Sequence, residues 1–409
     1  MTEITPVPGG VCAPEGFRAG GVYCGIAKNA QKPDLALIAS DTPCSCAATY
    51  TANKVKAAPL GVTREHLQNG RAQAVICNSG NANACMAGGA EVARGMCGLA
   101  ADMLGIPASD VVVASTGVIG QPLPLEKVQG AAGALARSLR GDGAGSRLCA
   151  TAMMTTDTVA KEISVRFPLG GKACKLGGVA KGSGMIHPNM GTMLCFLTTD
   201  AAISPALLQQ ALSAVVRDTF NMVSVDGDTS TNDMAVVLAN GRAGNPIVDR
   251  AGADYDAFAD ALSHVCTYLA RMMAKDGEGA TKLLECAVGG AVDDPSARLL
   301  AKSVISSSLV KAAMFGSDAN WGRVLCAMGY SGAAGDLSRA DITFASRAGA
   351  VAVCREGAGL AFDEEMAKRV LGEEEIEIQI QLHQGDARAV AWGCDLTLDY
   401  VRINGDYRS

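Results

Sequence analysis

Residues 181–197 read Lys-Gly-Ser-Gly-Met-Ile-His-Pro-Asn-Met-Gly-Thr-Met-Leu-Cys-Phe-Leu. A loop broken by glycine and proline runs straight into an apolar strand-like segment, and Gly191-Thr192 is the junction. This arrangement suits a chain that cuts itself. The Thr192 hydroxyl would attack the carbonyl of Gly191, the peptide would shift to an ester, and the ester would hydrolyse. Thr192 would then open a new chain and carry its own base, because a free α-amine titrates near ~8. A threonine activated by its own terminal amine is a known form of nucleophile. Taken alone, a threonine that starts an apolar strand is simply a β-branched residue in its preferred place.

The rest of the chain bounds the setting. At 409 residues it has room for about two or three domains. Apolar residues make up 49% and charged residues 19%, which allows a sizeable core and argues against disorder. The formal net charge is −6 with no basic block, so no nucleic-acid partner is expected. The first residues lack the basic start and apolar core of a secretory signal. No apolar run is long enough to span a membrane. The 15 cysteines include one close pair, Cys44 and Cys46, and no Cys-x-x-Cys. None of the four histidines completes a zinc spacing with them. Reduced thiols buried as small hydrophobes are the favoured reading over metal ligands or disulfides. That points to a cytoplasmic, reducing compartment.

Periodicity places several elements. Ser204-Pro205 reads as an N-cap and first-turn proline. The helix behind it carries Leu208, Leu212, Val215 and Val216 on one face up to about Phe220. A second helix is expected over 255–274, with Phe258, Leu262, Val265, Leu269 and Met272 as its stripe. Further helices are expected near 90–104, 124–139 and 296–313. Strands are expected at 34–39, 73–77, 110–114, 161–167, 173–179, 193–199 and 234–239. Later ones are expected at 341–346, 350–354, 375–382 and 388–399. Strands and helices mingle without strict alternation, so mixed α/β layers are favoured over a doubly wound parallel sheet. The packing is expected to divide into a core over 1–282 and a smaller C-terminal α/β domain over 283–409. The 48 glycines imply many tight turns and close backbone approaches.

A series of motifs then follows in order along the chain. They are Asn78-Ser-Gly-Asn-Ala-Asn-Ala-Cys85, Ser115-Thr-Gly-Val-Ile-Gly120 and Met154-Thr-Thr-Asp-Thr158. After the Gly191-Thr192 junction come Val225-Asp-Gly-Asp-Thr-Ser-Thr-Asn-Asp233 and Asp276-Gly-Glu-Gly-Ala-Thr-Lys282. Phe315-Gly-Ser-Asp-Ala-Asn-Trp-Gly-Arg323 and Asn404-Gly-Asp-Tyr-Arg-Ser409 complete the set. Together they resemble the ornithine acetyltransferases, the ArgJ family of arginine biosynthesis, over nearly the whole chain. One departure is Gly191, where that family usually has alanine; glycine keeps the leaving side small but loosens the loop.

The resemblance implies a DmpA/ArgJ-like fold with an αββα core similar to that of N-terminal-nucleophile hydrolases. It implies cleavage into an α chain, 1–191, and a β chain, 192–409, assembled as an α2β2 heterotetramer. It implies ping-pong transfer of acetyl from N2-acetylornithine to glutamate through Thr192. Thr116 and Gly117 would form the oxyanion hole, with Thr116 offering a hydroxyl or an N–H. Preorganised donors of this kind matter by ~10²–10³ in rate. Thr155, Lys181, Thr192, Glu278, Asn404 and Ser409 map to the substrate-binding residues. Lys181 suits a carboxylate and Glu278 an ammonium. Lys181 is also a candidate for the cation that lowers the pKa of the α-amine. No cofactor or metal is implied, and acetyl-CoA is a candidate co-substrate. An aminopeptidase or amidase on the related scaffold is the alternative, since it would share the nucleophile and admit water.

Three other patterns are set aside. Asp226-Gly-Asp-Thr-Ser230 begins like a calcium loop, but Thr231 stands where glycine is needed and Val237 where glutamate is needed. A structural role near the site is expected for this segment instead. Gly177-Gly-x-x-Lys181-Gly182 does not match a phosphate loop. His187 has no triad partners in sight and reads as a loop residue.

Overall fold

The computed structural model describes residues 2–187 and 193–406. Their strands are, in chain order, β1 Thr5–Pro6, β2 Phe17–Val22, β3 Leu35–Tyr50, β4 Arg71–Asn78, β5 Val111–Ser115, β6 Lys161–Leu169, β7 Lys172–Lys181 and β8 Leu194–Thr199. Then come β9 Val223–Ser224, β10 Met234–Ala239, β11 Leu283–Ala291, β12 Asp341–Ser346, β13 Gly349–Arg355, β14 Ala358–Gly359, β15 Glu375–Gln381 and β16 Ala387–Cys394. The helices are α1 Ala58–His66, α2 Gly89–Leu104, α3 Leu125–Ser138, α4 Gly143–Met153, α5 Pro205–Asp218 and α6 Ala253–Lys275. They continue with α7 Asp294–Ser306, α8 Ser308–Phe315, α9 Trp321–Gly329, α10 Glu364–Leu371 and α11 Leu398–Asp406.

The first sheet runs β1-β6-β7-β8-β10-β3-β4-β5, with β2 also paired to β3. The pairs β8–β10 and β4–β5 are parallel. Period-two alternation in β3, β4 and β5 sends their side chains to two different cores. Leu35, Leu37, Ala74, Ile76, Val111 and Val113 face the apolar sides of α2 and α3. Ala36, Ile38, Val75, Cys77, Val112 and Ala114 share a second core with α4 and with Leu194, Phe196, Met234 and Val236. The opposite faces of β8 and β10, with Cys195, Leu197, Ala235 and Val237, pack with α5 and α6. The layers are therefore helix, strand, strand, helix, a mixed α/β arrangement as expected.

The second sheet runs β14-β13-β12-β15-β11-β16-β9. Along β15, Ile376, Ile378 and Ile380 are buried, whereas Glu375, Gln379 and Gln381 are exposed. Helix α6 packs on β6 and β7 of the first sheet and on β11 and β16 of the second. One buried cluster runs from the first sheet through α6 to the second sheet, and it crosses the 282/283 division.

Some sequence expectations need correction. The strand expected at 34–39 extends to Tyr50, past Pro43, because a register shift between Ala39 and Cys44 takes the proline out of the ladder. The helix expected over 296–313 is two helices. Ser307 between them is extended, and its hydroxyl caps the second by accepting from Val310 N–H at 3.3 Å. The strand expected over 388–399 stops at Cys394. Asp395 turns the chain there by accepting from the N–H groups of Thr281 and Lys282 at 2.8 and 2.9 Å, and α11 follows. Pro205 does open its helix, but the Ser204 side chain makes no capping bond. Met273, rather than Met272, completes the buried stripe of α6. Helices α1, α4, α9, α10 and α11 were not anticipated. Asp142, Asn320 and Asp363 cap α4, α9 and α10.

Phe258 on α6 is fully buried and lies 6.3 Å from Phe167 on β6, ring centre to ring centre. Its truncation would leave a cavity at the helix that joins the sheets. We expect Phe258→Ala to lower unfolding free energy by about 3–5 kcal/mol in urea titration; a change below 1 kcal/mol would show that this contact is dispensable.

Candidate active site

The ends of β5 and β7 and the beginnings of β8 and β10 meet around a cavity of about 130 Å³. Thr116, Gly117, Thr155, Lys181, Glu278 and Asn404 all line it. Gly191, Thr192 and Ser409 lie outside the described residues. Met193, which follows Thr192, lines the cavity. Leu194 stands opposite Lys181 in the β7–β8 register.

Thr116 and Gly117 follow β5 directly. The Thr116 N–H is already donated to the Asn78 carbonyl at 3.0 Å. Of the two donors considered for Thr116, the hydroxyl therefore remains. The Lys181 ammonium donates to that hydroxyl oxygen at 3.4 Å, so the hydroxyl hydrogen can point onward. Gly117 has φ 131°, and a Cβ there would lie 2.4 Å from the Gly80 carbonyl carbon. No other residue fits this backbone approach.

Lys181 is buried in the last position of β7. The adjoining Gly182 N–H donates to Asp157 Oδ1 at 2.7 Å, and the Thr155 N–H donates to Asp157 Oδ2 at 3.0 Å. Burial alone would raise the Asp157 carboxyl, but Lys181 and Lys161 outweigh it and hold the group well below the usual carboxylate range. Lys32 adds a half-buried ammonium, which donates to the Met154 carbonyl at 2.6 Å.

Glu278 sits in the turn after α6. Its N–H donates to the Ser183 carbonyl at 3.0 Å, and its Oε2 accepts from Asn404 Nδ2 at 2.7 Å. Asn404 comes from α11, which has no buried residue of its own. Gly184 faces the Glu278 carboxylate so closely that a Cβ would lie 2.3 Å from it.

Sequence reading named no individual role for several residues that support this cavity, beyond a structural one for the segment that begins at Asp226. Asn232 donates to the carbonyls of Ala82 and Ser115, both at 2.7 Å, and so ties the 230–233 loop to the end of β5. Asp226 accepts from the N–H groups of Met185 at 2.5 Å and Ile186 at 2.8 Å, a structural role of the kind expected for this segment. These bonds hold Met185 at φ 56°, an unusual value for a residue with a long side chain. Lys161 and Asp276 also belong to this shell. In each case the only sequence signal was a polar residue inside a recognised motif, or a lysine opening an apolar strand.

His187 does not line the cavity; its Nδ1 lies 3.0 Å from Ser224 Oγ and 3.4 Å from Ser306 Oγ. Burial, with the Lys302 charge adding to it, lowers its pKa to about 4. Between pH 6.5 and 4 the unfolded chain takes up a proton that the folded protein refuses. Stability from this group is thus complete above the unfolded value and falls as pH drops through that window. We expect the melting temperature of wild type to decline across it and the decline to be shallower in His187→Asn; parallel profiles would refute the assignment.

The model of the ArgJ family matches residues 18–409. The arginine biosynthesis bifunctional protein ArgJ of Symbiobacterium thermophilum is 52% identical over 407 residues, covering 98% of this chain and 99% of its own. The corresponding ArgJ 1 protein of Clostridium acetobutylicum is 51% identical over 395 residues, 96% of each chain. The crystal structure of the Bacillus halodurans arginine biosynthesis bifunctional protein matches with 47% identity and a TM-score of 0.50, over 53% of this chain and all of that one. With nearly every residue aligned to relatives at about half identity, the chain belongs to the ArgJ family of enzymes.

Proposed function

We propose that this enzyme moves an acetyl group from N2-acetylornithine to glutamate by a ping-pong route through Thr192, after cleavage of the Gly191–Thr192 bond. The observation that carries this reading is the single cavity that gathers Thr116, Gly117, Thr155, Lys181, Glu278 and Asn404 beside Met193. Thr192 Oγ attacks the acetyl carbonyl while its α-amine accepts the hydroxyl proton. The Thr116 hydroxyl and the Gly117 backbone face the developing oxyanion. The amide C–N bond breaks, ornithine leaves with the proton, and an acetyl-threonyl ester remains. Glutamate nitrogen then attacks the ester, and N-acetylglutamate departs. An amide is broken and an amide is made, so the exchange is close to thermoneutral and calls for no cofactor.

The two substrates share an α-carboxylate and differ at the side-chain end. Lys181 suits the shared carboxylate and Glu278 an ammonium, with Asn404 orienting Glu278. The nearby Lys181 charge would also favour the neutral form of the Thr192 amine. Cleavage into 1–191 and 192–409 is supported by the half-length solved relative, because residues 192–409 make up about 53% of this chain. An α2β2 assembly, acetyl-CoA as a second donor and a cytoplasmic location belong to the same reading. Twelve buried cysteines support a reducing compartment; where shifts are resolved, burial raises their thiols.

Two experiments test this reading. Intact-mass measurement of purified protein is expected to give two fragments split at Gly191/Thr192, and Thr192→Ala is expected to stay whole and lose all acetyl transfer; an uncut but fully active enzyme contradicts the mechanism. Gly184→Ala pushes on the Glu278 carboxylate and is expected to raise KM for acetylornithine by at least tenfold. Acetate release without glutamate, at a rate equal to exchange, would instead assign the protein to the hydrolases. Acetyl-CoA offered as the donor in the same assay decides whether one or two reactions are catalysed.

A further inference from the structure

We infer that Lys161, which does not itself line the cavity, is a positioning residue that holds three walls of the cavity in register through Asp157 and Asp276. The reaction readout rests on the function proposed above; the geometry does not. The Lys161 ammonium donates to Asp157 Oδ1 at 2.8 Å and to Asp276 Oδ2 at 2.5 Å. The three side chains are 0%, 0% and 6% exposed, so solvent does not share this charge.

Each carboxylate grips different backbone. Asp157 holds the Thr155 and Gly182 N–H groups, the first from the 154–158 loop and the second from the residue after Lys181. Asp276 accepts from the N–H and hydroxyl of Thr158, and its carbonyl accepts from Ser183 Oγ at 2.6 Å. Two residues further on, Glu278 donates its N–H to the Ser183 carbonyl. Thr155, Lys181 and Glu278 are thus three cavity groups set by one ion cluster. Without Lys161, two buried carboxylates face each other without the cation they share, and their hold on the backbone loosens.

The test compares wild type, Lys161→Met, the charge-balanced Lys161→Met/Asp276→Asn double variant, and Thr158→Val. In acetylornithine–glutamate exchange we expect Lys161→Met to lose about 10²-fold in kcat/KM, the scale of a misplaced binding group. Its acid limb should move to higher pH, since Asp157 keeps only Lys181 and the half-buried Lys32 as cations. The double variant should recover at least about tenfold of the loss, as coupled neighbours do. A folded Lys161→Met within twofold of wild type, or a double variant no better than the single, overturns the inference. Should Lys161→Met fail to fold, Thr158→Val decides: a tenfold loss at unchanged melting temperature supports positioning, and activity within twofold overturns it. Amide hydrogen exchange serves as a readout that needs no catalysis. Faster exchange at Thr155 and Gly182 with unchanged β3 and β4 supports the inference, and unaltered protection overturns it. Wild type inactive in the acetyl assay would count against the proposed reaction, and the exchange data would still judge Lys161.

Discussion

A buried ammonium between two carboxylates is the constraint on which the cavity depends. The cluster of Lys161, Asp157 and Asp276 joins the start of β6, the loop before it and the turn after α6. The loop and β6 are contiguous, whereas Asp276 lies 115 residues away from Lys161, at the end of a helix. A dry ion cluster contributes little net stability, because desolvation offsets most of the attraction. Its value here is directional. Carboxylates with several fixed donors leave little freedom to the backbone around them, and an active site needs that rigidity where its polar groups converge.

The architecture supplies the rest of the precision. The strand pairs β7–β8 and β8–β10 bring Lys181, Leu194 and Met234 side by side at one end of the sheet. The long β3 pairs with β2 through its first half and with β10 through its second, so the site's strands are buttressed on both sides. Helix α6 then delivers Asp276 and Glu278 from its C-terminal end while its apolar face holds two sheets together. The same element thus serves packing along its length and chemistry at its tip.

Much of this was legible in sequence. Apolar strands such as 73–77 and 234–239 announce themselves by length and β-branched content, and α6 by its regular stripe. Thr116, Lys181 and Glu278 were marked by the resemblance of their motifs to the ArgJ family; local pattern alone would have left Thr116 and Glu278 as turn residues. What escaped was decided by contacts between distant residues. Asp395 ends β16 by bonding to Thr281 and Lys282, and nothing near Asp395 in the chain says so. Lys161 looks like any strand-opening lysine until Asp276 folds against it. The Thr116 N–H looked available until Asn78 was found to accept it. Local patterns reveal elements; pairings across layers decide which atoms remain free to act.

The strand order of the first sheet carries one last implication. Strands β8 and β10 are inserted between β7 and β3, so a nick ahead of β8 would leave the downstream piece threaded through the middle of the upstream one. Neither piece could be purified alone in native form, because each would present interior strand edges with no partner. The two products of such a scission would behave as one body in gel filtration and part only under denaturant. Expressing the halves from separate messages would demand that they find each other while still unfolded.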